Sequence, residues 1–174
     1  MTIPGKGFPT LSRKRFGQHF LEPAWVDKVI DAIAPQQDEV FLEIGPGRGA
    51  LTRPLAARSR HVIAFEIDRD LAAALDDAHV PQLTVVQGDF LDATPDSVLD
   101  RFNSLHRGAT VRVAGNLPYN VASPILFKLV SLYSSGVPLT DAIVMLQREV
   151  ADRLTASPGT REYGVLSVRR MGLK

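Results

Sequence analysis

A glycine-rich segment is the first candidate for chemistry in this sequence. Residues 43–49 read EIGPGRG and follow a short apolar run. Gly45 and Gly47 can take positive φ angles, and with no Cβ they let a ligand approach the backbone closely. A tight turn between a strand and a helix also uses glycine for packing, so this segment alone indicates a ligand only weakly.

Two acidic residues, Glu66 and Asp89, each close a further apolar run. Glu66 lies about twenty residues beyond the glycines, where a carboxylate can accept both hydroxyls of a ribose. Asp89 can accept a hydrogen bond from an adenine amino group. Either acid alone is more typical of a solvated loop or a helix N-cap. Together and in this order, the features indicate a cofactor that contains adenosine, and a nicotinamide cofactor fits the glycines and Glu66 equally well.

The segment that follows the fourth apolar run decides between hydride and methyl transfer. It reads Asn116-Leu117-Pro118-Tyr119. An exocyclic adenine amine is a poor nucleophile, because its lone pair is delocalised into the ring. The amide oxygen of Asn116 and a backbone carbonyl at Leu117 or Pro118 could accept its two N–H bonds and aim the nitrogen at a methyl group. Tyr119 offers a face on which an extruded base can stack. The alternative is a plain Asn-x-Pro turn with a packed tyrosine.

The surrounding pattern must bring these residues to one place. A helix is predicted from Pro23 to Pro35, where proline ends it. Apolar runs predict five strands, at residues 40–44, 61–65, 83–86, 111–114 and 142–146. Further helices are predicted at residues 50–58, 69–78, part of 95–106, and 124–132 with Ser123 as the cap. This alternation predicts an α/β fold in which a mostly parallel sheet carries helices on both faces and binds ligands at the carboxyl ends of its strands.

Composition limits the remaining possibilities. The 174 residues are 45% hydrophobic, enough for one core, and contain no cysteine, which excludes disulfides and thiolate metal sites and favours the cytoplasm. No apolar run is long enough to span a membrane, and no metal site is predicted.

The net charge is only +1, but the first twenty residues contain basic Lys6, Arg13, Lys14 and Arg15 and no acid. Such an arm can contact RNA phosphates, although a solvated terminus is equally compatible.

Four motifs resemble those of the rRNA adenine N6-dimethyltransferases. They are RKRFGQHFL at residues 13–21, EIGPG at 43–47, NLPYN at 116–120 and QREVA at 147–151. The resemblance runs from about Ser12 to Val168 and implies a Rossmann-like class I methyltransferase. It implies S-adenosylmethionine as the methyl donor, S-adenosylhomocysteine as the product, and two methylations of adenine N6 in structured RNA. Carried to matching positions, the family's cofactor contacts are His19, Leu21, Gly45, Glu66, Asp89 and Asn116.

The resemblance also concerns the substrate. Residues 157–168, Leu117 and Pro124 resemble the branch that modifies 16S-type rRNA of the small subunit during ribosome biogenesis. The runner-up is the antibiotic-resistance branch that acts on 23S rRNA. A non-catalytic role in ribosome assembly and a DNA adenine methyltransferase remain further alternatives. The implied partner is the immature small subunit, bound by a protein that is monomeric in this family.

Two features depart from the family pattern. His19 stands where many members have asparagine, which could add a pH dependence. We also expect residues 1–22 to form a basic arm and cofactor lid, and 23–174 to form a methyltransferase domain that lacks the family's last strands and small helical domain. An uncovered fifth strand would then favour association of the chain through the edge of its sheet.

Overall fold

The computed structural model describes residues 23–106, 110–118 and 120–162, and this part of the chain alternates helices and strands. The strands are β1 (Val40–Ile44), β2 (His61–Glu66), β3 (Leu83–Gln87), β4 (Val111–Asn116) and β5 (Leu139–Met145). The helices are α1 (Pro23–Ile33), α2 (Thr52–Ala56), α3 (Arg69–Asp76), α4 (Pro95–His106), α5 (Ala122–Ser134) and α6 (Arg148–Thr155). A short 3₁₀ helix covers Phe90–Asp92. None of the helices in these described ranges is long and apolar enough to cross a membrane.

The five strands form one parallel sheet in the order β3-β2-β1-β4-β5. The chain moves outwards from β1 to β3, then returns to place β4 on the other side of β1. The order therefore reverses between β1 and β4, which is where sheets of this kind bind ligands. The predicted α/β class with a parallel sheet is confirmed.

Alternation along the strands divides the core between the two faces of the sheet. On one face, Leu42 and Ile44 pack with residues of α4 and α5 such as Phe102 and Leu129. On the other face, Phe41 packs with Ile30 and Ile33 of α1, with Leu55 and Ala56 of α2, and with Leu51, the N-cap of α2. All five residues of β1 are buried, as expected for the central strand of a sheet covered on both sides.

Most predicted elements are present, and the differences lie at their ends. The fifth strand begins at Leu139 instead of residue 142, and the helix predicted at 50–58 is the shorter α2. The prediction that Ser123 caps a helix is wrong, because α5 begins at Ala122 with Val121 as its N-cap. The Val121 N–H donates to Pro118 O at 3.1 Å, so a backbone turn starts this helix without a side-chain cap.

Candidate active site

The candidate residues within the described ranges lie at the carboxyl ends of four adjacent strands. The glycine segment follows β1, Glu66 ends β2, Asp89 follows β3, and Asn116 ends β4. Since these strands are neighbours in one parallel sheet, their ends form a continuous edge. Alternation also places Glu66 and Asn116 on the same face as Phe41, the face covered by α1 and α2.

The glycines of the first loop serve two different purposes. Gly45 has φ +70°, and a Cβ built there would meet no atom within 4 Å, so its backbone borders open space. Gly49 has φ +79°, and its Cβ would lie 2.8 Å from Leu75 Cδ1, so this glycine allows the loop to pack on α3. The packing interpretation of the glycine segment therefore holds at Gly49, while the ligand interpretation remains a prediction for Gly45. The open space at Gly45 is where a ligand could contact the backbone.

Glu66 connects this loop to the end of β2. Its side chain is only 2% exposed, and Oε2 accepts a hydrogen bond from Gly47 N at 2.9 Å while Oε1 accepts one from Asp68 N at 2.9 Å. Burial raises the pKa of Glu66 above its ordinary value, and the two backbone N–H donors oppose this by stabilising the carboxylate. A carboxylate oxygen can accept more than one hydrogen bond, so these contacts leave capacity for the hydroxyls of a ligand.

Asp89 acts as an N-cap in this structure. Its Oδ1 accepts a hydrogen bond from Leu91 N at 2.9 Å and thereby caps the Phe90–Asp92 turn. The cap fixes the carboxylate at the end of β3, next to Gly88, where a built Cβ would again meet no atom within 4 Å. The cap engages Oδ1 and so fixes the position from which Oδ2 could accept a hydrogen bond from a ligand.

The Asn116-Leu117-Pro118 segment is held on both sides by backbone hydrogen bonds. Leu117 N donates to Met145 O of β5 at 3.2 Å, and Pro118 O accepts from Val121 N at 3.1 Å. The Leu117 side chain is buried in the core, while Asn116 is half-buried at the sheet edge. Two backbone hydrogen bonds thus hold the segment where the chain leaves β4, at the same carboxyl edge of the sheet as Gly45 and Glu66.

Sequence reasoning did not assign a role to Glu43 or Thr52. Glu43 lies within β1 and is 1% exposed, between Ala64 and Ala114 on the neighbouring strands. Among the described residues, Glu43 Oε2 and Thr52 Oγ1 have no hydrogen-bond partner. The pKa of Glu43 is raised to about 8, chiefly by burial; the Thr52 hydroxyl opposes this rise, and the charge of nearby Glu66 contributes to it. The sequence does indicate that Glu43 is buried, since it is the one acid in an otherwise apolar strand.

Ile67 is a third residue that the sequence pattern did not single out. It directly follows Glu66 at the end of β2, and it is 41% exposed. An exposed apolar side chain beside a buried carboxylate can pack against the flat ring of a ligand whose polar groups the carboxylate binds.

Several predicted site residues lie outside the described ranges. They are the RNA-contact residues Arg13, Lys14 and Arg15, the cofactor contacts His19 and Leu21, and the base-stacking residue Tyr119.

Comparison with known proteins agrees with this architecture. Residues 10–173 match the family model described as ribosomal RNA adenine dimethylase. The chain belongs to this family. It is 49% identical over 159 residues to ribosomal RNA small subunit methyltransferase A of Bordetella petrii, covering 90% of this chain and 56% of the relative. The same-named protein of Leptothrix cholodnii is 45% identical over 161 residues, covering 91% and 55%.

Two solved structures align with the structure of this chain. A dimethyladenosine transferase from Plasmodium falciparum aligns with a TM-score of 0.68 and 28% identity, covering 85% of this chain and 50% of that one. The 23S rRNA methyltransferase ErmE aligns with a TM-score of 0.62 and 28% identity, covering 78% and 50%. The chain therefore spans about half the length of the family members it matches.

Proposed function

We propose that this chain transfers methyl groups from S-adenosylmethionine to N6 of adenines in small-subunit, 16S-type rRNA, and dimethylates them. The observation that carries the proposal is the placement of Gly45, Glu66, Asp89 and Asn116 at four adjacent strand ends. A backbone cradle, two carboxylates and an amide along one edge suit an adenosine cofactor beside an amine acceptor.

The residues at the first three strand ends suit this cofactor. The open backbone of Gly45, together with Gly47, takes the amino-acid end, and the Glu66 carboxylate accepts from the ribose hydroxyls. Asp89 Oδ2 accepts from the adenine amine, and Ile67 packs against the ring. His19 and Leu21 complete the cofactor contacts in the proposal. When bound, S-adenosylmethionine supplies an electrophilic methyl group on a sulfonium sulfur.

The residues after β4 orient the acceptor. Asn116 accepts one N–H of the adenine amine through its amide oxygen, and a backbone carbonyl accepts the other. Val121 N already uses one lone pair of Pro118 O, which favours the Leu117 carbonyl as the second acceptor. These two acceptors hold the N–H bonds out of the plane of the ring. The nitrogen lone pair is then no longer conjugated with the ring and can attack the methyl group. The alkylated amine is strongly acidic and releases its proton to water, and Tyr119 stacks on the base.

The small-subunit assignment is supported by the relatives, which are named small subunit methyltransferases at 45–49% identity. ErmE, named a 23S rRNA methyltransferase, is 28% identical. We infer that the partner is 16S-type rRNA in an immature small subunit in the cytoplasm, with Arg13, Lys14 and Arg15 contacting phosphates.

Two measurements test this proposal. Calorimetric titration with S-adenosylhomocysteine measures cofactor binding, and incubation of S-adenosylmethionine with small subunits that lack the modification measures methyl transfer. Asn116→Ala should lower the transfer rate roughly a hundredfold or more, since it removes an oriented hydrogen-bond acceptor at the reacting atom. Its matched control is Asn103→Ala, an exposed asparagine on α4 that should transfer methyl groups normally.

The outcome also separates catalysis from a binding role in ribosome assembly. Loss of transfer in an Asn116→Ala variant that still binds S-adenosylhomocysteine and the subunit supports the catalytic assignment. Unchanged transfer in this variant would contradict it. Transfer to 23S rRNA or DNA in preference to small subunits would overturn the substrate assignment and leave the chemistry intact.

A further inference from the structure

Glu66 accepts more hydrogen bonds from the protein backbone than a role in ligand binding alone requires. Its two carboxylate oxygens accept hydrogen bonds from Gly47 N and Asp68 N, each at 2.9 Å. Its backbone carbonyl accepts from Gly88 N, also at 2.9 Å. These three donors belong to the loops that follow β1, β2 and β3, so one residue joins three neighbouring loops at the carboxyl edge of the sheet.

The hydrogen bond to Gly47 restrains the middle of the glycine loop, between Gly45 N, which donates to Phe65 O at 2.9 Å, and Gly49 N, which donates to Pro46 O at 2.9 Å. Gly45 and Gly47 have φ angles of +70° and +57°, and neither contributes a side chain to the core. Fixing glycine costs more conformational entropy than fixing any other residue. A buried, charge-assisted hydrogen bond from Gly47 N to a carboxylate offsets that cost, whereas the same bond in water would contribute much less.

The second carboxylate oxygen extends the connection to α3. Asp68, whose N–H donates to Glu66, caps this helix by accepting from Asp70 N at 3.0 Å and Leu71 N at 3.3 Å. Leu75 of the same helix is the side chain on which Gly49 packs. The loop is therefore attached to α3 at two points, through Glu66 and through Leu75.

We propose that Glu66 is a positioning residue for the glycine loop, which it holds in the ligand-binding conformation before any ligand arrives. This inference rests on the proposed function, because the ribose contact of Glu66 belongs to it. The carboxylate would thus couple the two ends of the cofactor: the group that accepts from the ribose also fixes the backbone that receives the amino-acid end.

Glu66→Gln tests the idea because glutamine has nearly the same shape and only one acceptor oxygen. Its amide nitrogen must face either Gly47 N or Asp68 N, so one loop loses its partner. The affinity for S-adenosylhomocysteine should fall roughly ten- to hundredfold, the loss expected for a buried charge-assisted hydrogen bond.

The decisive comparison uses the 2′,3′-dideoxy analogue of S-adenosylhomocysteine, which has no ribose hydroxyl to bind. If Glu66 positions the loop, Glu66→Gln also binds this analogue roughly tenfold more weakly than the unchanged protein does. If Glu66 acts only on the ribose, both proteins bind the analogue with the same Kd, and the inference is overturned.

Amide hydrogen exchange of the ligand-free, full 174-residue chain provides a readout that does not depend on the cofactor. Gly47 N should exchange faster in Glu66→Gln, while Ala64 N in the core of β2 should be unaffected. Asp89→Asn is the matched control, because within the described ranges the Asp89 carboxylate accepts from Leu91 N of its own turn and not from the glycine loop, so Gly47 exchange should be unchanged.

A second variant, Glu66→Asp, keeps the inference testable if Glu66→Gln does not fold properly. If Glu66→Gln melts at a much lower temperature, Glu66→Asp keeps the charge but is one methylene shorter and cannot reach both donors, so Gly47 exchange should still be faster. Unchanged Gly47 exchange in both variants overturns the inference. If the unchanged protein did not bind S-adenosylhomocysteine, the proposed function would fail while the exchange data would still decide the role of Glu66.

Discussion

Glu43→Gln is the perturbation for which the structure predicts the sharpest effect. Glu43 is buried in the central strand, and burial raises the pKa of its carboxyl group to about 8. Its Oε2 has no hydrogen-bond partner among the described residues. Glutamine has nearly the same volume and is neutral at every pH, so the substitution removes the titration while leaving the packing between Ala64 and Ala114 intact.

The direction of the effect follows from proton linkage. The unfolded chain releases the Glu43 proton near pH 4.5, whereas the folded chain keeps it to about pH 8. The stabilisation from the bound proton is fully present below pH 4.5 and is lost as the pH rises through the folded pKa. Each pH unit in that window lowers the free energy of unfolding by about 1.4 kcal/mol, so the protein should lose about 3 kcal/mol by pH 7.

Urea unfolding of the unchanged protein and of Glu43→Gln, measured at pH 5, 6 and 7, checks this prediction. The free energy of unfolding of the variant relative to the unchanged protein should rise steadily across the series. Asp38→Asn, which removes an exposed carboxylate just before the same strand, should run parallel to the unchanged protein. Parallel curves for Glu43→Gln would show that Glu43 ionises normally in the fold and would refute the reasoning.

Two further substitutions test how the sheet is held together. Arg112 contacts Asp141 through two hydrogen bonds of 2.9 Å and Glu39 through bonds of 3.0 and 3.1 Å, so Arg112→Met should lower the free energy of unfolding by about 2 kcal/mol in urea melts. An unchanged midpoint would mean that solvent screens these pairs. A Cβ on Gly115 would lie 2.7 Å from Ile44 O, so Gly115→Ala should cost roughly 1–3 kcal/mol by separating β4 from β1. A variant as stable as the unchanged protein in the same melts would contradict this.

The central part of the fold could be predicted because its strands are short and almost wholly apolar. Val40–Ile44 is buried at every position, and its predicted limits match the structure. A glycine or an acid follows each of the first four apolar runs in the sequence, which also located the candidate site at the carboxyl edge. The residues that mark the ends of the strands are also the candidate site residues, so the same positions predicted the strand ends and the site.

The outermost strand, β5, was harder to predict because its pairing depends on residues distant in sequence. Thr140 and Asp141 are polar and resemble a turn, yet both belong to β5. Asp141 lies opposite Arg112 in the sheet, and Thr140 occupies an irregularity where its hydroxyl donates to Val111 O at 3.2 Å. An exposed edge strand can use polar residues when a neighbouring strand supplies their partners, and no local pattern shows that partner.

The role of each acid could not be decided from sequence because structural and ligand-binding functions are not exclusive. The position of Asp89 fits both an N-cap and an adenine acceptor, and in the structure it caps a turn through Oδ1. Glu66 is similar, since two backbone donors fix its orientation without using every lone pair. The structural bonds are what aim the remaining acceptor positions, because an unrestrained carboxylate would lose affinity to rotational freedom. An acid at a strand end that binds its own backbone is therefore a stronger candidate ligand residue than one that binds only water.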